Sequence, residues 1–431
     1  MKIRILAGAA CAALITVAEP AIAASAKTEM PVAASAIPSL APAVAQFYAA
    51  RGNKPLWFQA GAPTAAASNL LTVLERAALD GLASGPDLAA RARALIGRGA
   101  AAEADQLLSS ALVLYVQAIR LPSPQMTYGD SWVTPRRTSP AQILSNAASA
   151  PSLADYVAAA SVPNPVYAQL RDAAYADMAV TGAQPDDRVI ASLARVREAP
   201  FQKRYIIVDA ASANLMMIED GKIAGSMKVI VGKADAPTPM LASTIYYATL
   251  NPYWNVPGDL VQNLIAPRVA AQGVKYITDH NYDVLSDYSA SATPIDPKSV
   301  DWTAVAAGTT LVKMRQRPNP ANSMGKMKFG FPNASDIYLH DSPNKDLFAQ
   351  DDRSLSHGCI RLSDAPRLAR WLLGRDAATD DQTPEQHVLL PTPVPIYVTY
   401  LTAQVNDGRI AFVADVYGRD RSNSSAVASL R

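Results

Sequence analysis

Cysteine and histidine are scarce in this chain of 431 residues, which has two cysteines and four histidines. Structural zinc sites combine several thiolate and imidazole ligands at short, paired spacings, and no such spacing occurs here. The sequence also lacks a glycine-rich phosphate loop, an EF-hand loop and a His-Glu-x-x-His motif. We therefore expect a protein that works with no metal and no cofactor.

A large excess of either charge is also absent. Lysine and arginine together number 39 and aspartate and glutamate 37, which gives a formal net charge of +2. Surfaces that bind nucleic acid need a pronounced excess of basic side chains. The charge balance therefore gives no support to a nucleic-acid partner.

Long hydrophobic runs are missing too, except for one at the N-terminus. Two basic residues within 1–4 precede an uncharged apolar stretch over 5–18, and Ala21-Ile22-Ala23 then offers a small-x-small cleavage site. The stretch is short for a transmembrane helix, and an uncleaved anchor is the alternative. We predict a signal peptide over residues 1–23, cleaved near Ala23, which exports the protein and removes Cys11.

The pattern along the rest of the chain changes near residue 200. Residues 39–200 are rich in alanine and leucine at helical spacing and predict a helical domain, with Asn69 as one helix cap and Gly81 as the stop of that helix. Short apolar runs separated by Asp-Gly turns predict a β-rich domain over 201–420. The other predicted segments are a flexible linker over 24–38, an insertion with mixed signals over 258–325 and a C-terminal tail over 421–431.

Cys359 is the only cysteine left once the signal is removed. It lies in Ser356-His357-Gly358-Cys359-Ile360-Arg361-Leu362, nineteen residues after His340. A lone cysteine in an exported protein is either buried and inert or retained for its chemistry. Because imidazoles flank Cys359, we expect a thiolate at neutral pH and a histidine that exchanges a proton with it.

Spacing suggests a role for each neighbour of Cys359. His340 ends a predicted strand, and His357 lies two residues before Cys359, on the same face of an extended backbone. Gly358 leaves the backbone unobstructed, so the amides of Gly358 and Cys359 could bind a developing oxyanion. Arg361 could hold a substrate carboxylate or assist the thiolate. Spacing alone leaves open which histidine is the base. The histidines without reactive neighbours in the sequence are His280 and His387.

Two motifs around the cysteine carry a family resemblance. Ile337-Tyr338-Leu339-His340-Asp341-Ser342-Pro343 and the heptapeptide that contains Cys359 resemble the active-site signature of the L,D-transpeptidases with a YkuD-type catalytic domain. Blocks over 229–233, 251–257 and 326–333 are similar to those of the large subgroup with a helical scaffold and a lid, and the resemblance covers about 45–373. It implies an α+β fold, in which an all-α scaffold domain precedes a mixed β-sandwich catalytic domain with an inserted lid.

The resemblance implies a peptidoglycan L,D-transpeptidase. In this family a cysteine takes the acyl group at the third residue of a tetrapeptide stem and releases the terminal D-alanine; an amine of a second stem then completes a 3→3 cross-link. Carried over, Cys359 is the nucleophile, His340 is the base, and the carbonyl or side chain of Asp341 orients His340. His357 supports the site, and the Gly358 and Cys359 amides form the oxyanion hole. Implied as well are acylation by carbapenems, a periplasmic location, and stem peptides and cell-wall synthesis proteins as partners.

Water is the competitor of the acceptor amine, since a thioester is open to hydrolysis. A lid that closes over the cleft is one way to exclude water. We therefore expect the insertion over 258–325 to fold over the cleft and to retain the donor until an amine arrives.

Other outcomes of the same chemistry stay open. Water, a free D-amino acid or a protein lysine could resolve the acyl-enzyme, which would make the protein an L,D-carboxypeptidase, an exchange enzyme or a protein-attaching enzyme. A non-catalytic envelope scaffold that only binds stem peptides is a different class of answer, against which an exposed thiol argues. We assign substrate contacts to Arg361, Ser356, Tyr338 and Trp254; for Tyr338 and Trp254 the alternative is packing in the core.

Two features depart from the family pattern. Many relatives carry a peptidoglycan-binding module between scaffold and catalytic domain, but only about thirty-five residues separate Arg171 from the first predicted catalytic strand. We therefore expect the glycan to be held by the scaffold, the lid or a partner. The second departure is Arg315-Gln316-Arg317-Pro318-Asn319-Pro320, where relatives usually have Pro-Gly, and here we expect Asn319 to provide a left-handed turn.

Overall fold

The computed structural model describes residues 32–199, 202–289, 291–377 and 383–420. The predicted signal peptide with Cys11, residues 24–31 of the predicted linker and the predicted tail over 421–431 lie outside the described residues. None of the described helices is long and apolar enough to cross a membrane.

Helices dominate the part of the chain before residue 200, as the alanine- and leucine-rich pattern predicts. They are α1 (Val32–Ala50), α2 (Ala65–Glu75), α3 (Gly85–Gly97), α4 (Ala101–Ile119), α5 (Pro140–Ser149), α6 (Leu153–Ala160), α7 (Pro165–Thr181) and α8 (Asp187–Val196). Helix α1 begins inside the predicted linker over 24–38, so residues 32–38 are helical. This half is not purely helical, because three two-residue strands interrupt it: β1 (Phe58–Gln59), β2 (Ala62–Pro63) and β3 (Thr127–Tyr128).

Side-chain caps define where several of these helices begin. Thr64 Oγ1 accepts the N–H of Ala67 at the start of α2, and Asn164 Oδ1 accepts the N–H of Tyr167 at the start of α7. Each contact pairs an amide that the first helical turn cannot pair itself, which stabilises a helix by about 1 kcal/mol. The predicted cap Asn69 is wrong: it lies exposed inside α2, which ends at Glu75, before the predicted stop at Gly81.

A buried ion pair ties the loop after α2 to α7. Asp80, which is fully buried, accepts hydrogen bonds from the hydroxyl groups of Tyr115, at 2.6 Å, and Tyr167. Arg171 Nη1 lies 3.8 Å from Asp80 Oδ1, and the Arg171 side chain is 2% exposed. The helical domain is therefore built around a charge pair that water does not reach.

Strands dominate the described chain after residue 202. They are β4 (Arg204–Asp209), β5 (Asn214–Glu219), β6 (Lys222–Gly232), β7 (Leu241–Leu250), β8 (Trp254–Val256), β9 (Tyr282–Leu285), β10 (Lys313–Gln316), β11 (Met327–Gly330), β12 (Tyr338–His340), β13 (Ser354–Ser356), β14 (Ile360–Leu362), β15 (Gln386–Thr399), β16 (Ala403–Asn406) and β17 (Arg409–Phe412). The helices of this part are α9 (Gly258–Leu260), α10 (Ala266–Gln272), α11 (Lys275–Asp279), α12 (Trp302–Ala306) and α13 (Ala365–Leu373).

One mixed sheet forms the core of this domain. Its strands follow the order β11-β12-β14-β6-β5-β4-β15-β7, with β13 added beside β6. Strand β7 also pairs with β11, so the sheet closes on itself. The two faces of the predicted sandwich are therefore parts of one continuous sheet, a feature that depends on long-range pairing.

The helical and β-rich parts are joined at two places. Strand β3 pairs in parallel with β7, and Tyr128 in β3 donates a hydrogen bond to Glu198 at 2.8 Å. At the other end, the β16–β17 hairpin packs on α7 and α8, and Arg195 forms an ion pair with Asp420 at 2.7 Å. The helical domain thus contributes an edge strand to the sheet of the β-rich domain.

The predicted insertion emerges from a strand pair. Strands β7 and β11 are antiparallel neighbours, and the Asn251 N–H donates to Lys326 O at 3.0 Å, so both ends of the insertion lie together. The insertion is therefore wider than the predicted 258–325, because β8 already belongs to its three-stranded sheet, β8-β10-β9. It has its own apolar core, which includes Trp254 and Met314. We call this unit, 251–326, the lid.

The turn near the end of the lid differs from the prediction. Asn319 is not among the described residues with a positive φ, so the predicted left-handed conformation is wrong. Instead Asn319 Oδ1 accepts the N–H of Ala321 at 2.8 Å, and Nδ2 donates to Arg317 O at 2.7 Å. The asparagine side chain closes this turn by hydrogen bonds of its own.

Candidate active site

Parallel strands β12 and β14 bring the predicted histidine and cysteine together. Leu339 pairs with Ile360, and His340 pairs with Arg361. Cys359, immediately before β14, therefore lies beside Tyr338. Neighbouring strands of a sheet are about 4.8 Å apart, so the candidate nucleophile and base share one small region of the sheet.

Two buried hydroxyl groups hold the turn that carries Cys359. Ser356 Oγ donates to Cys359 O at 2.6 Å and accepts the N–H of Gly358 at 3.1 Å. Thr238 Oγ1 donates to Gly358 O at 2.7 Å and accepts the N–H of Gly232 at 2.9 Å. Gly358 itself has a φ of +109°, which side chains with a Cβ rarely adopt. Sequence reasoning missed Thr238, because no motif surrounds it and its contact with Gly358 is long-range.

These contacts change two predicted roles. The Gly358 N–H is taken up by Ser356 Oγ, so of the two predicted oxyanion donors the Cys359 amide is the one that the site can use. Ser356, predicted to contact substrate, is 2% exposed, and its hydroxyl is bonded to the backbone on both sides. Its observed contacts are those of a residue that holds the turn.

His340 is buried and neutral. It is 3% exposed, and its Nδ1 lies 2.6 Å from Asp341 O. Because a carbonyl oxygen only accepts, Nδ1 carries the proton and Nε2 is the nitrogen that can receive another. Burial, and then the positive charge of Arg361, lowers the pKa of His340 to about 3. The imidazole is therefore uncharged at neutral pH.

Asp341 contributes to the site through its backbone. Its carbonyl orients His340, whereas its carboxylate accepts the N–H of Lys326 at 2.9 Å and pairs with Lys345 at 2.7 Å. Gly325, with a φ of +60°, lies against that carboxylate and leaves no room for a Cβ. The side chain therefore fastens the end of the lid to the sheet beside His340.

The thiol of Cys359 is not a preformed thiolate. Burial raises the pKa of Cys359, an effect that outweighs hydrogen bonds from Tyr338 and the positive charges of Lys328 and Arg361. The expected thiolate at neutral pH is therefore wrong for the protein without substrate, because the desolvation that excludes water also disfavours the charged sulfur. At rest, both the Cys359 thiol and the His340 imidazole are therefore neutral.

Alkylation of Cys359 by iodoacetamide should consequently depend steeply on pH. Because only the thiolate reacts, the rate below the thiol pKa should rise about tenfold per pH unit between pH 6 and pH 8. Mass spectrometry of the Cys359 peptide at timed intervals measures it, with free cysteine as the reference. A rate that is flat over this range would instead indicate a stable thiolate–imidazolium pair.

Cys359 opens into a cleft of about 790 Å³ between the sheet and the lid. The sheet side contributes, among others, Lys328, Tyr338, His357 and Cys359. The lid side contributes Tyr253, Asn255, Val256, Pro257, Gly258 and Tyr288. The insertion therefore forms one wall of the cleft, as a lid must, and Tyr253 and Tyr288 line that wall.

Tyr338 lines this cleft, whereas the other three predicted substrate contacts, Ser356, Trp254 and Arg361, lie outside its lining. Trp254 is 9% exposed and packs in the core of the lid, while its neighbours Tyr253 and Asn255 face the cleft. Arg361 is half-buried, and its positive charge acts on His340 and Cys359. The prediction for Trp254 is wrong because alternate residues of β8 face opposite sides.

Lys328 is a cleft residue that sequence reasoning missed. It pairs across strands with His340, and its Nζ lies 4.5 Å from the centre of the Tyr338 ring. Within the described residues Lys328 has no carboxylate partner. The family resemblance includes the block 326–333, but the direction of the Lys328 side chain depends on the long-range register of β11 with β12.

Family models match both the helical part and the β-rich part of the chain. Residues 203–396 match the family model of the YkuD L,D-transpeptidase catalytic domain, and residues 42–173 match that of a scaffold domain. A Haemophilus influenzae protein provisionally named an L,D-transpeptidase is 28% identical over 395 residues, which are 88% of this chain and 78% of that protein.

Solved structures with detectable likeness are more distant. An L,D-transpeptidase from Mycobacterium smegmatis is 16% identical, with 46% of this chain and 58% of that chain covered and a TM-score of 0.22. L,D-transpeptidase 3 from Mycobacterium tuberculosis, in complex with a faropenem-derived adduct, is 12% identical, with 46% and 60% covered and a TM-score of 0.22. The chain thus spans little more than half the length of these solved structures.

Proposed function

The chain carries the L,D-transpeptidase catalytic domain of the YkuD family together with a scaffold domain, and we propose that it forms 3→3 cross-links in peptidoglycan through an acyl-enzyme on Cys359. One observation carries this proposal. A neutral His340, with its Nδ1 proton fixed by Asp341 O, lies on the strand beside a cysteine that opens into a walled cleft. A thiol nucleophile requires a neutral acceptor nitrogen nearby, and the register of β12 with β14 places His340 next to the strand that Cys359 precedes.

Acylation uses the resting neutral pair directly. Cys359 Sγ attacks the carbonyl carbon of the third residue of the donor stem as its proton passes to Nε2 of His340. Formation of the S–C bond gives a tetrahedral intermediate, and the Cys359 amide stabilises its negatively charged oxygen. Collapse breaks the bond to the terminal D-alanine, and His340 returns the proton to the departing amine. The thioester on Cys359 and free D-alanine are the products of this half-reaction.

The second half-reaction repeats these steps with a different amine. The side-chain amine of a second stem loses its proton to His340 and attacks the thioester carbon. The C–S bond then breaks, the new amide is the cross-link, and Cys359 regains its proton. Because the thioester is itself reactive toward amines, the transfer needs no ATP.

The low pKa of His340 fits a residue that must give its proton back. Burial and Arg361 disfavour the imidazolium, which favours return of the proton to the leaving amine. At the sulfur of Cys359, by contrast, the positive charges of Lys328 and Arg361 stabilise the negative charge that develops there. The two cations thus act on both members of the pair.

Excision of the lid should shift the products from cross-links to hydrolysis. Asn251 and Lys326 are hydrogen-bonded neighbours, so 253–324 can be replaced by a short Gly-Ser linker without cutting the sheet. Removing one wall of the cleft admits water to the thioester, so the ratio of tripeptide to dimer should rise several-fold. Mass spectrometry of the products measures the ratio, and circular dichroism verifies the fold. An unchanged ratio in a folded variant would show that the lid does not exclude water.

Carbapenems should acylate Cys359 by the same route. Their strained carbonyl can replace the stem carbonyl in the cleft, and no departing amine is needed because the ring opens. Intact-protein mass spectrometry with meropenem should show one added mass of the drug, located on the Cys359 peptide. An adduct of the same size in the Cys359→Ala variant would contradict this assignment.

We also propose that the protein acts in the periplasm. Its proposed substrate is assembled outside the cytoplasm, and residues 1–23 have the charge, apolar stretch and cleavage site of an export signal. Fractionation of cells that express the tagged chain tests this, since retention of the full-length chain in the cytoplasm would argue against export.

The direct test of the activity is the analysis of reaction products. Purified protein incubated with disaccharide-tetrapeptide should give dimers that have lost one alanine, and the Cys359→Ala variant should give none. Tripeptide without dimers would identify water as the acceptor and the protein as an L,D-carboxypeptidase. Unchanged tetrapeptide would favour a protein that binds stem peptides without catalysis.

A further inference from the structure

A second concave surface lies on the scaffold side of the molecule. Two adjoining hollows, of about 530 Å³ and 280 Å³, share Arg120, Leu121, Pro135 and Arg136 along their common border. We call this surface the scaffold groove, and its relevant lining residues are Arg120, Leu121, Trp132, Arg136, Arg137 and Glu198. None of them belongs to the catalytic cleft.

Two large apolar side chains of the groove are exposed to solvent. Trp132 is 57% exposed and Leu121 is 45% exposed, although both lie in a concave surface where packing would be easy. An indole face left open to solvent beside polar groups is suited to bind a ligand that is partly apolar and partly polar.

The groove is also positively charged. Arg120, Arg136 and Arg137 are exposed, and none of the three forms an ion pair with any described carboxylate. The described carboxylate that lines the groove, Glu198, is 6% exposed and accepts hydrogen bonds from Tyr128 and from the Ser123 amide. A ligand in the groove therefore meets guanidinium groups that are available for carboxylates.

The groove is connected to the catalytic cleft by a short, rigid segment. Asp130 accepts the N–H of Trp132 at 2.8 Å and also the hydroxyl hydrogen of Tyr246, a residue that lines the cleft. Gly129 lies against the backbone of Pro332, another cleft residue, with no room for a Cβ. The strand that precedes this segment, β3, is paired with β7 of the catalytic sheet. This segment therefore fixes the position of the groove relative to the cleft.

We propose that the scaffold groove binds a peptidoglycan strand whose stem peptide enters the catalytic cleft. The apolar face of a sugar ring stacks on Trp132, and stem carboxylates pair with Arg120, Arg136 and Arg137. This inference rests on the proposed function, which it extends by assigning the site that holds the polymeric substrate. It accounts for a chain that has no separate glycan-binding module between its scaffold and its catalytic domain.

Binding to purified peptidoglycan sacculi tests the groove independently of catalysis. All proteins carry Cys359→Ala, so that no turnover occurs, and the bound fraction is measured by co-sedimentation. Trp132→Ala and Arg136→Glu should each raise the apparent dissociation constant by about fivefold or more, as expected for truncating an anchoring aromatic or arginine. The matched controls are Tyr175→Ala and Arg91→Glu, which alter an exposed aromatic and an exposed arginine on helices away from the groove. They should change the constant by less than about twofold.

The same substitutions with Cys359 intact separate the groove from the active site. Trp132→Ala and Arg136→Glu should lower turnover on polymeric strands by a larger factor than turnover on soluble disaccharide-tetrapeptide, which offers the groove one disaccharide at most. A parent that binds sacculi through the groove but makes no cross-links would refute the proposed activity and leave the groove standing. Equal binding by groove and control variants would overturn the groove. Binding of polyglutamate that is equally tight and unaffected by Trp132→Ala would also overturn the groove proposal, because the surface would then bind polyanions in general.

Discussion

Replacing His340 by alanine should lower the rate of thioester formation from disaccharide-tetrapeptide by roughly 10²- to 10⁴-fold, the usual contribution of a general base. The reason is that the Cys359 thiol is neutral at rest and cannot lose its proton to water at a comparable rate. The measurement is a single-turnover experiment in which D-alanine release is followed over time.

His357→Ala is the matched control for this prediction. Both histidines flank Cys359, but His357 is exposed at the cleft, whereas His340 is buried with its tautomer fixed by Asp341 O. We expect the His357 variant to lose less than about tenfold in rate, because an exposed imidazole with no fixed partner is a poorly positioned base. A larger loss for His357→Ala than for His340→Ala would reverse the assignment of the base.

Replacing Arg171 by leucine should destabilise the scaffold domain by about 3–5 kcal/mol, the usual cost of leaving one partner of a buried ion pair alone. Burial raises the pKa of Asp80, and the Arg171 charge opposes that shift, so its removal makes the carboxylate still harder to keep ionised. Arg171 also donates to Ser161 O, which would lose its partner. Urea denaturation followed by circular dichroism measures the change.

Two further variants make this result specific. Arg91→Leu, on the exposed face of α3, should change the free energy of unfolding by less than about 0.5 kcal/mol. The double variant Asp80→Asn, Arg171→Leu should recover part of the loss, because a neutral amide can keep hydrogen bonds with Tyr115 and Tyr167 without a buried charge. A single Arg171→Leu variant as stable as the parent would show that the pair does not hold the scaffold together.

Much of the architecture could be predicted, because it depends on patterns among residues that are close together in the sequence. The helical spacing before residue 200 and the Asp-Gly turns after it separate the two halves, and the motifs around His340 and Cys359 place a histidine and a cysteine at the start or end of strands. The structure brings those residues together on β12 and β14. What the sequence could not supply was the closure of the sheet through β7 and β11, or the edge strand β3, since both depend on pairing between distant segments.

The errors at the site have a common physical cause, which is that burial and side-chain direction are properties of the whole fold. Flanking imidazoles suggested a thiolate at Cys359, but the enclosed position raises the pKa of that thiol. Trp254 was assigned to substrate, yet it packs in the apolar core of the lid, which was the alternative, while its neighbour Tyr253 lines the cleft. Ser356 was assigned to substrate, whereas its hydroxyl bonds to the backbone of the turn at Gly358.

Detection of the acyl-enzyme tests the central claim most directly. The protein is mixed with disaccharide-tetrapeptide, quenched in acid within seconds, and examined by intact-protein mass spectrometry followed by peptide mapping. We predict an added mass equal to the donor minus D-alanine, located on the peptide that contains Cys359 and discharged by hydroxylamine. Cross-linked product formed with no adduct on Cys359, or with undiminished yield in Cys359→Ala, would contradict a mechanism in which this cysteine carries the acyl group.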